Sequence, residues 1–450
     1  MAVAKQSVGL LVCCSIVLLF LPSCKEDAPV APPTRTEILT NNLWKLQQAL
    51  ASGSGTDMTS EFPIKRVTFK GDGTFDYGWG SGTWSFTNNE SRIVLVDPGS
   101  GMQADCEVLE LSSSVLRISC AVLGAGSVKF TPGQQEFASR EAVFDTLWHE
   151  FDARYSFFVT KGINWDSLRT VYRPQALSAT TDAEFFGILS SMLAPLKDGH
   201  VRLVSSAGTY VYTDWYSRYP MNYLGSAAIG KYLSRDYGLT AGGMMRYGRI
   251  ADTLGYLYVG PNFTGVSAVW SSAMNAVMDS LRNVKGFVVD ARNNGGGNES
   301  LAREVAGRFT NQSLVYGYVR WRNGPNHTDF TDPAPQSLVP SGERQFTGAV
   351  TLLTNRHCFS SGEGFILMMR VLPNVTVVGD TSGGGSANPI VLELPNGWQY
   401  WVSRWIHYTA EQTIFEGIGL APDIAVQISP ADSVAGHDTI LEKAVQILAK

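Results

Sequence analysis

The sequence predicts a multidomain protein with a small antiparallel β-barrel or sandwich, then a helical segment, then an α/β core. Three observations predict this order. Short strands with alternating apolar residues recur in 39–131, apolar residues repeat along one helix face in 132–203, and strands alternate with helices in 251–450. The chain has 450 residues, of which 44% are hydrophobic. It is therefore long enough to bury two or three separate cores.

The charge balance excludes one large class of partner. The formal net charge is −5, and charged residues make up 17% of the chain. Binding to a phosphate backbone requires a concentrated positive patch, and the sequence contains no basic stretch of that size. We therefore expect no nucleic-acid partner.

The first 24 residues have the pattern of an export signal. Lys5 precedes an apolar run, and "LPSC" ends at Cys24. This ending resembles a bacterial lipobox, in which Cys24 carries the lipid; a plain signal anchor is the alternative. Residues 25–38 are charged and rich in proline, as expected for a tether, and 25–27 resemble the surface-export signal of Bacteroidetes lipoproteins. The expected location is the cell envelope, as an outer-membrane lipoprotein facing the periplasm or the surface.

The β-domain, residues 39–131, contains runs such as "RVTFKG", "GTWSF" and "RIVLVD", separated by Gly, Asn, Asp and Ser. It loosely resembles the lipocalin-like domains of Bacteroidetes lipoproteins. Cys106 and Cys120 are equidistant from Ser113, which lies in a predicted hairpin turn. A cross-strand disulfide is therefore possible, and two small buried thiols are an equal alternative.

The helical segment, residues 132–203, ends in a polar stretch, "LKDGHVRL", that contains His200. Thr181 and Glu184 have the spacing of a capping box at the start of its last helix. Residues 204–250 form a connecting segment in which we predict β-hairpins.

In the α/β core, residues 251–450, three stretches fall where strands end. "VVDARNNGGG" runs into Gly295-Gly296-Gly297, "LLTNRHCFSSGE" contains Ser360 and Ser361, and "IFEGIGLAPDI" contains Glu416. In open α/β sheets, sites form beyond the carboxyl ends of the strands. These stretches are therefore the candidate site.

Together with "LKDGH", these motifs resemble family S41 of serine peptidases, which includes the C-terminal processing and tricorn-core proteins. The pattern D-x-R-x-N-x-G-G begins at Asp290, S-x-x-E begins at Ser360, and E-G-x-G-x-x-P-D-I begins at Glu416. The resemblance covers about 300 residues and implies an α/β core of the ClpP/crotonase-like type. It also implies a peptide or protein substrate, with no metal and no cofactor.

The family pattern implies that Ser360, and not Ser361, is the nucleophile. A serine at a strand-to-helix turn lies close to the free backbone N–H groups of the helix N-terminus. We expect the amide of Ser361 and one amide from Gly295–Gly297 to hold the oxyanion. Each such donor stabilises the transition state by on the order of 3 kcal/mol. The alternative for the two serines is ordinary helix capping.

A serine hydroxyl needs a base, and the family offers two. One branch uses a lysine about 25 residues after the serine, but no lysine lies between Lys285 and Lys443. The tricorn-like branch uses a histidine with a glutamate behind it, and His200 and Glu416 match these positions. The tricorn-type serine before the histidine is Gly199 here, so this contact is absent or is replaced by Asp198.

Other interpretations remain open. His357, three residues before Ser360, is the rival base. The retinoid-binding relatives of the family suggest a non-catalytic binder of apolar ligands or peptides, and an esterase could use the same triad. The G-x-S-x-G elbow of α/β-hydrolases is absent around Ser360, which disfavours the esterase. The sequence favours a lipid-anchored serine endopeptidase.

Overall fold

The structure is a computed structural model. It describes residues 32–59, 62, 64–77, 81–97, 102–119, 125–133, 138–205, 207–385 and 387–449. The predicted signal peptide 1–24, its Cys24 and residues 25–31 of the predicted tether lie outside the described residues. The helices and strands are numbered in chain order as α1–α11 and β1–β22.

The N-terminal region is a closed antiparallel barrel, which confirms the predicted β-domain. A short helix, α1 (Arg35–Thr40), precedes it and begins within the segment assigned to the tether, 25–38; its Leu39 is buried in the barrel core. Burial alternates along the strands, as the two faces of a pleated strand require. The eight strands are β1 (Leu43–Ala51), β2 (Arg66–Phe69), β3 (Thr74–Asp76), β4 (Ser81–Thr87), β5 (Arg92–Asp97), β6 (Met102–Leu111), β7 (Leu116–Ser119) and β8 (Ala125–Gly133).

The barrel closes because β8 pairs with β1, and a packed apolar core fills its interior. Cys106, on β6, is buried and disulfide-bonded. Cys120, the other residue of the suggested pair, lies outside the described residues.

Three helices form the predicted helical segment: α2 (Arg140–Arg154), α3 (Trp165–Ser178) and α4 (Asp182–Leu193). The side chains of Ser139, Asn164 and Thr181 accept hydrogen bonds from the first turns of these helices. The apolar face predicted from the sequence is buried, and its aromatic rings pack in one core with those of the segment 387–406. The aromatic repeat is therefore core.

The α/β core is built on a seven-stranded sheet in the order β11-β12-β13-β14-β17-β18-β22. The strands from β13 onward are parallel, as predicted, whereas β11 and β12 form an antiparallel hairpin. They are β11 (Arg235–Thr240), β12 (Met245–Ile250), β13 (Leu254–Val259), β14 (Gly286–Asp290), β17 (Ala349–Thr354), β18 (Val375–Gly379) and β22 (Ile424–Ala425). The helices that cover it are α7 (Ser267–Ser280), α8 (Glu299–Ala306), α9 (Ser361–Arg370) and α11 (Thr439–Leu448).

Two smaller sheets complete the fold, with the orders β10-β9-β20-β19 and β16-β15-β21. Their strands are β9 (Arg202–Ser205), β10 (Gly208–Val211), β15 (Leu314–Trp321), β16 (Ala334–Leu338), β19 (Ile390–Glu393), β20 (Gln399–Val402) and β21 (Trp405–Thr409). The remaining helices are α5 (Asp214–Ser217), α6 (Ser226–Ile229) and α10 (Pro430–Ala435), with 3₁₀ turns at Ala194–Leu196, Gly230–Tyr232, Ala241–Gly243 and Gly307–Phe309.

One strand pairing joins the helical segment to the core. β9 follows the helices directly, and it pairs antiparallel with β20, about 200 positions later in the chain. His200 lies two residues before β9, so this pairing places the imidazole beside the core. Within the residues that the structure describes, no helix has the length and apolar character needed to cross a bilayer.

Candidate active site

Ser360 occupies a strained turn between a parallel strand and a helix. Its φ of +55° and ψ of −127° lie in a region that non-glycine residues rarely adopt. Its side chain makes no capping hydrogen bond to the described residues of α9, so the helix-capping alternative does not describe it. The backbone is fixed on both sides: the amide donates to the carbonyl oxygen of Gly385 at 2.7 Å, and the carbonyl oxygen accepts from the amide of Glu363 at 2.8 Å.

The glycine loop after β14 lies directly against this turn. A Cβ on Gly296 would be 2.7 Å from both the Ser360 Cβ and the Ser361 nitrogen, and its φ is +99°. Only glycine allows this approach with this backbone conformation. The Ser361 hydroxyl donates to the carbonyl oxygen of Gly297 at 2.6 Å and ties the helix start to the loop. The hydroxyl of the second serine is therefore structural in this geometry.

Of the four backbone amides predicted for the oxyanion site, two already donate a hydrogen bond among the described residues and two do not. The Gly295 amide donates to the carbonyl oxygen of Pro261 at 2.9 Å, and the Gly296 amide donates to Asn294 Oδ1, also at 2.9 Å. The amides without an acceptor in the described part of the chain are those of Gly297 and Ser361. The geometry narrows the predicted oxyanion pair to these two.

Buried polar side chains fix the glycine loop from below. Arg292 is fully buried and pairs with Asp290 at 2.7 Å and with Asp438 at 2.8 Å. Asn294 donates through Nδ2 to the carbonyl oxygen of Val259 while its Oδ1 accepts from the loop. Asp290, Arg292 and Asn294 therefore brace the glycine loop from within the core.

His200 lies next to the serine segment but is not hydrogen-bonded to it. Its ring stacks on Phe359, the residue before Ser360, with ring centroids 4.5 Å apart, and Trp215 covers the same phenyl ring at 4.0 Å. Neither ring nitrogen of His200 has a hydrogen-bond partner in the described part of the chain. Burial lowers the pKa of His200 from 6.5 to about 4, so the ring is neutral at pH 7.

The loop of Gly383–Gly385 makes room for these rings. A Cβ on Gly385 would be 2.2 Å from the Phe359 ring, and a Cβ on Gly383 would be 2.6 Å from the Trp215 ring. The same is true of Gly199, whose Cβ would be 2.5 Å from Trp215 Nε1. The small residue at 199, where a tricorn-type site has serine, is therefore explained by packing.

The structure does not place the Glu416 carboxylate in a hydrogen bond with His200. Glu416 is buried, and its Oε1 accepts from Lys161 Nζ at 2.8 Å. Lys161 also donates to the carbonyl oxygens of Leu196 and Lys197 at 3.1 and 3.3 Å. Sequence reasoning missed Lys161, because a single lysine in the loop after α2 belongs to no motif.

The carboxylate found near the imidazole is Asp198, for which the sequence suggested only a substitute role. Its Oδ1 is 3.9 Å from His200 Nδ1 and accepts the His200 backbone amide at 2.8 Å, and its Oδ2 accepts from the Ser403 hydroxyl at 2.9 Å. Burial raises the pKa of Asp198, but Lys161 and His200 oppose burial and bring the pKa below its usual value. Asp198 is therefore ionised at neutral pH.

Glu363, the acid of the S-x-x-E pattern, is structural in this geometry. It is fully buried and accepts from the Ser382 hydroxyl at 2.5 Å and from the amides of Gly384 and Gly385 at 2.8 and 2.6 Å. Burial raises its pKa to about 8, against the effect of these donors. Glu363 thus holds the loop that bonds to the Ser360 amide.

Two other residues of this segment have plain environments. His357 is half-buried against Tyr216, with ring centroids 4.9 Å apart, and burial lowers its pKa. No hydrogen bond joins His357 to Ser360 among the described residues. Cys358 is buried and donates to the carbonyl oxygen of Ala291 at 3.1 Å, and burial raises its pKa to about 12. Its thiol is therefore protonated and unreactive at neutral pH.

A cleft of about 620 Å³ opens at this place. The helical segment, the connecting segment, the Ser360 loop and the Glu416 loop all contribute to it, through residues that include Lys161, Gly199, Trp215, Phe359, Gly384 and Glu416. Residues from both halves of the chain thus meet in one cavity.

Comparisons with known proteins show which family the chain resembles. The family model described as peptidase family S41 matches residues 253–426, and that of the tricorn protease C1 domain matches residues 137–194. No curated protein matches the chain. A candidate peptidase from Parabacteroides merdae ATCC 43184 is 35% identical in sequence, with a TM-score of 0.64 over 70% of this chain and 98% of that chain.

A more distant neighbour shows the same fold. Mature CPAF is 12% identical, with a TM-score of 0.51 over 69% of this chain and 96% of that chain. Two family models and one relative point to the same family. That relative is the Parabacteroides protein, which is 35% identical and is covered over 98% of its length. The chain belongs to peptidase family S41, a family of serine peptidases.

Proposed function

We propose that the protein is a serine endopeptidase with Ser360 as nucleophile, His200 as general base and Glu416 as the acid that stabilises the imidazolium. The observation that carries the proposal is the Ser360 turn. Its backbone is strained, its hydroxyl does not cap α9, and two amides without an acceptor in the described part of the chain lie beside it. The hydroxyl therefore has no structural role among the described residues that would explain a serine at this position. Strain of this kind persists where the surrounding structure over-determines it and is common at active sites.

The chemistry follows from these positions. The Ser360 Oγ attacks the peptide carbonyl carbon while His200 accepts its proton, and the carbonyl oxygen becomes an oxyanion held by the Ser361 and Gly297 amides. The C–N bond then breaks, and His200 returns the proton to the leaving amine. Water attacks the acyl-enzyme in the same way, which releases the acid and restores Ser360.

Substrate binding completes the serine–histidine hydrogen bond in this account. The His200 ring stacks on the Phe359 ring, and neither of its nitrogens has a hydrogen-bond partner in the described part of the chain. Catalytic hydrogen bonds often form fully only in the enzyme–substrate complex. A neutral buried imidazole is also in the protonation state that a base requires. The proposal therefore requires the His200 side chain to rotate from Phe359 towards Ser360.

In this proposal Glu416 stabilises the imidazolium of His200 through its charge, while its carboxylate is hydrogen-bonded to Lys161. Removal of its charge would leave Lys161 buried without its close partner and would change the field at His200. The variants Glu416→Gln and Asp198→Asn separate the two carboxylates. If Glu416 is the orienting acid, E416Q lowers kcat more than D198N does; the reverse order would assign the role to Asp198.

The direct test of the function is cleavage of a peptide library read by mass spectrometry. We expect internal bonds to be cut by the wild-type protein, and no cleavage by Ser360→Ala. Ser361→Ala is the matched control, because this hydroxyl only ties the helix to the Gly297 carbonyl, and it should retain most of the activity. Cleavage that survives in S360A, or is lost only in S361A, would overturn the assignment.

We also propose that the chain is exported and anchored to the cell envelope by lipid at Cys24. The "LPSC" motif and the proline-rich stretch after it support this. Metabolic labelling with a fatty acid should mark the wild-type protein and not Cys24→Ala. An unlabelled wild-type protein that remains in the membrane fraction would favour the plain signal anchor.

A further inference from the structure

Arg356 is a buried arginine in the loop that leads to Ser360. It is 7% exposed and lines the cleft. Its guanidinium donates through Nε to the carbonyl oxygen of Trp215 at 2.5 Å, and through Nη1 to those of Ser382 and Ile418 at 2.9 and 3.2 Å. Nη2 has no hydrogen-bond partner in the described part of the chain.

The charge of Arg356 lacks a counterion, unlike that of the other buried arginines. Three arginines are buried among the described residues. Arg292 pairs with two aspartates, and Arg308 pairs with Glu304 at 2.6 Å. For Arg356, no carboxylate lies within 4.0 Å in the described part of the chain. A buried charge without a counterion is costly, so this position favours an incoming anion.

The charged side chains that line the cleft carry a net positive charge, like Arg356 itself. Its charged lining consists of four basic and two acidic side chains, in a chain whose net charge is −5. Both acidic residues are already paired, Glu416 with Lys161 and Asp214 with Arg218. The basic residues left without a carboxylate within the described part of the chain are Arg356 and Lys197.

We propose that Arg356 binds a carboxylate of the peptide substrate, an inference that rests on the proposed function. The centroid of the Tyr219 ring lies 4.2 Å from the guanidinium carbon, and Trp215, whose carbonyl oxygen accepts from Arg356 Nε, lines the same cleft. The Tyr219 ring covers part of the guanidinium, and because Arg356 is buried its charge attracts an anion more strongly than it would in water. The free Nη2 donates a charge-assisted hydrogen bond to the carboxylate.

The carboxylate lies close to the bond that is cut. Arg356 and Ser360 both donate to the loop after β18, at Ser382 and Gly385, which are three residues apart. An extended peptide advances about 3.3 Å per residue, so the charge lies within about three residues of the scissile bond. It comes from an Asp or Glu side chain or from the α-carboxylate of a chain end.

The test is retention of peptides by the immobilised Ser360→Ala protein, which binds without cleaving. Three pools of randomised heptapeptides are compared by mass spectrometry: amidated without Asp or Glu, amidated with Asp or Glu, and free-acid without Asp or Glu. We expect at least one carboxylate pool to be retained about tenfold better than the first pool, from the usual strength of hydrogen bonds to charged groups. The pool that is enriched identifies the source of the carboxylate.

Two further variants in the Ser360→Ala background assign the effect to one side chain. Arg356→Gln should abolish the enrichment, whereas Arg218→Gln, a rim arginine paired with Asp214, should keep it. Equal retention of all three pools by the Ser360→Ala protein would overturn the inference, as would enrichment that depends on Arg218 alone. These outcomes do not depend on how well the Arg356 variant folds.

The inference and the proposed function fail in different ways. If the wild-type protein cleaves peptides without regard to carboxylates and no pool is enriched, the carboxylate site is wrong and the peptidase stands. If carboxylate pools are retained through Arg356 but nothing is cleaved, the site stands and the endopeptidase is wrong.

Discussion

The barrel and the peptidase core differ in what they bury. Among the described residues of the barrel, the interior is apolar apart from Asp97, which accepts a hydrogen bond from the Tyr77 hydroxyl. A cavity of about 40 Å³ lies among the described residues of the barrel, lined by side chains such as Phe69 and Phe130, and it is too small for an apolar ligand. The described interior of the barrel is therefore a packed apolar core.

The peptidase core instead buries many polar groups around one cleft. Asp198, His200, Arg356, Glu363 and Glu416 are all buried, and two of them, Arg356 and Glu416, line the cleft. Burying polar groups costs stability unless they are paired, so their concentration supports the proposal that this is the active site. The contrast predicts that changes in the core alter activity and that changes in the barrel alter only stability.

The largest expected effect is on His200. His200→Gln should lower kcat/KM by about 10²–10⁴-fold, the usual contribution of a general base. The matched control is His357→Gln, which should stay within a few-fold because His357 only stacks on Tyr216. Activity that survives in H200Q and is lost in H357Q would reassign the base.

The pH profile sharpens the same prediction. The base must be neutral, and burial lowers the pKa of His200 to about 4. We therefore expect kcat/KM to stay level as the pH falls from 7 to about 5 and then to drop towards 4. In the unfolded chain this histidine has its ordinary pKa of 6.5. Unfolding therefore binds a proton between the two values and stability falls with acid, so rates must be measured on folded protein. An acid limb near 6.5 would contradict the buried base.

The next effect is on the barrel. Trp44 is fully buried there, so Trp44→Ala should destabilise the barrel by about 3–5 kcal/mol, measured by denaturant unfolding. The kcat/KM of the folded protein should not change. A large loss of kcat/KM in the folded variant would break the comparison between the two regions.

A smaller effect is expected at Glu363, which links stability and activity in the core. Its carboxyl group accepts three hydrogen bonds from the loop 382–385 through both oxygens, and glutamine can accept only through one oxygen. Glu363→Gln should therefore cost about 1–3 kcal/mol of unfolding free energy and also lower kcat. Glu393→Gln is a control of the same chemistry, because Glu393 on β19 lies against Arg66 of the barrel and outside the lining of the cleft, and it should leave kcat unchanged.

The smallest effect is expected at the seam between the two regions. Arg66 on β2 and Glu393 on β19 form an ion pair in which Nε and Oε2 are 3.9 Å apart. Such a long ion pair contributes little, so Arg66→Ala should change the unfolding free energy by less than about 1 kcal/mol and leave kcat/KM unchanged. A larger change in either quantity would mean that the barrel and the core are energetically coupled.

The sequence predicts the elements of the site well and their mutual contacts poorly. The Ser360 turn and the glycine loop follow from motifs because only certain residues tolerate those backbones. The position of His200 depends on the pairing of β9 with β20, a long-range contact that no local pattern encodes. The sequence does not predict the roles of Lys161 and Arg356, because they depend on contacts made by folding. The fold brings the Glu416 carboxylate to Lys161, whereas it places Arg356 among backbone carbonyl oxygens.

The most direct measurement is covalent labelling with a fluorophosphonate, with the modified residue located by mass spectrometry. A nucleophile activated by a neighbouring base should react at Ser360, and labelling should be lost in Ser360→Ala and strongly slowed in H200Q. A folded wild-type protein that stays unlabelled, or carries the label on another residue, would contradict the central claim that Ser360 and His200 form one catalytic unit.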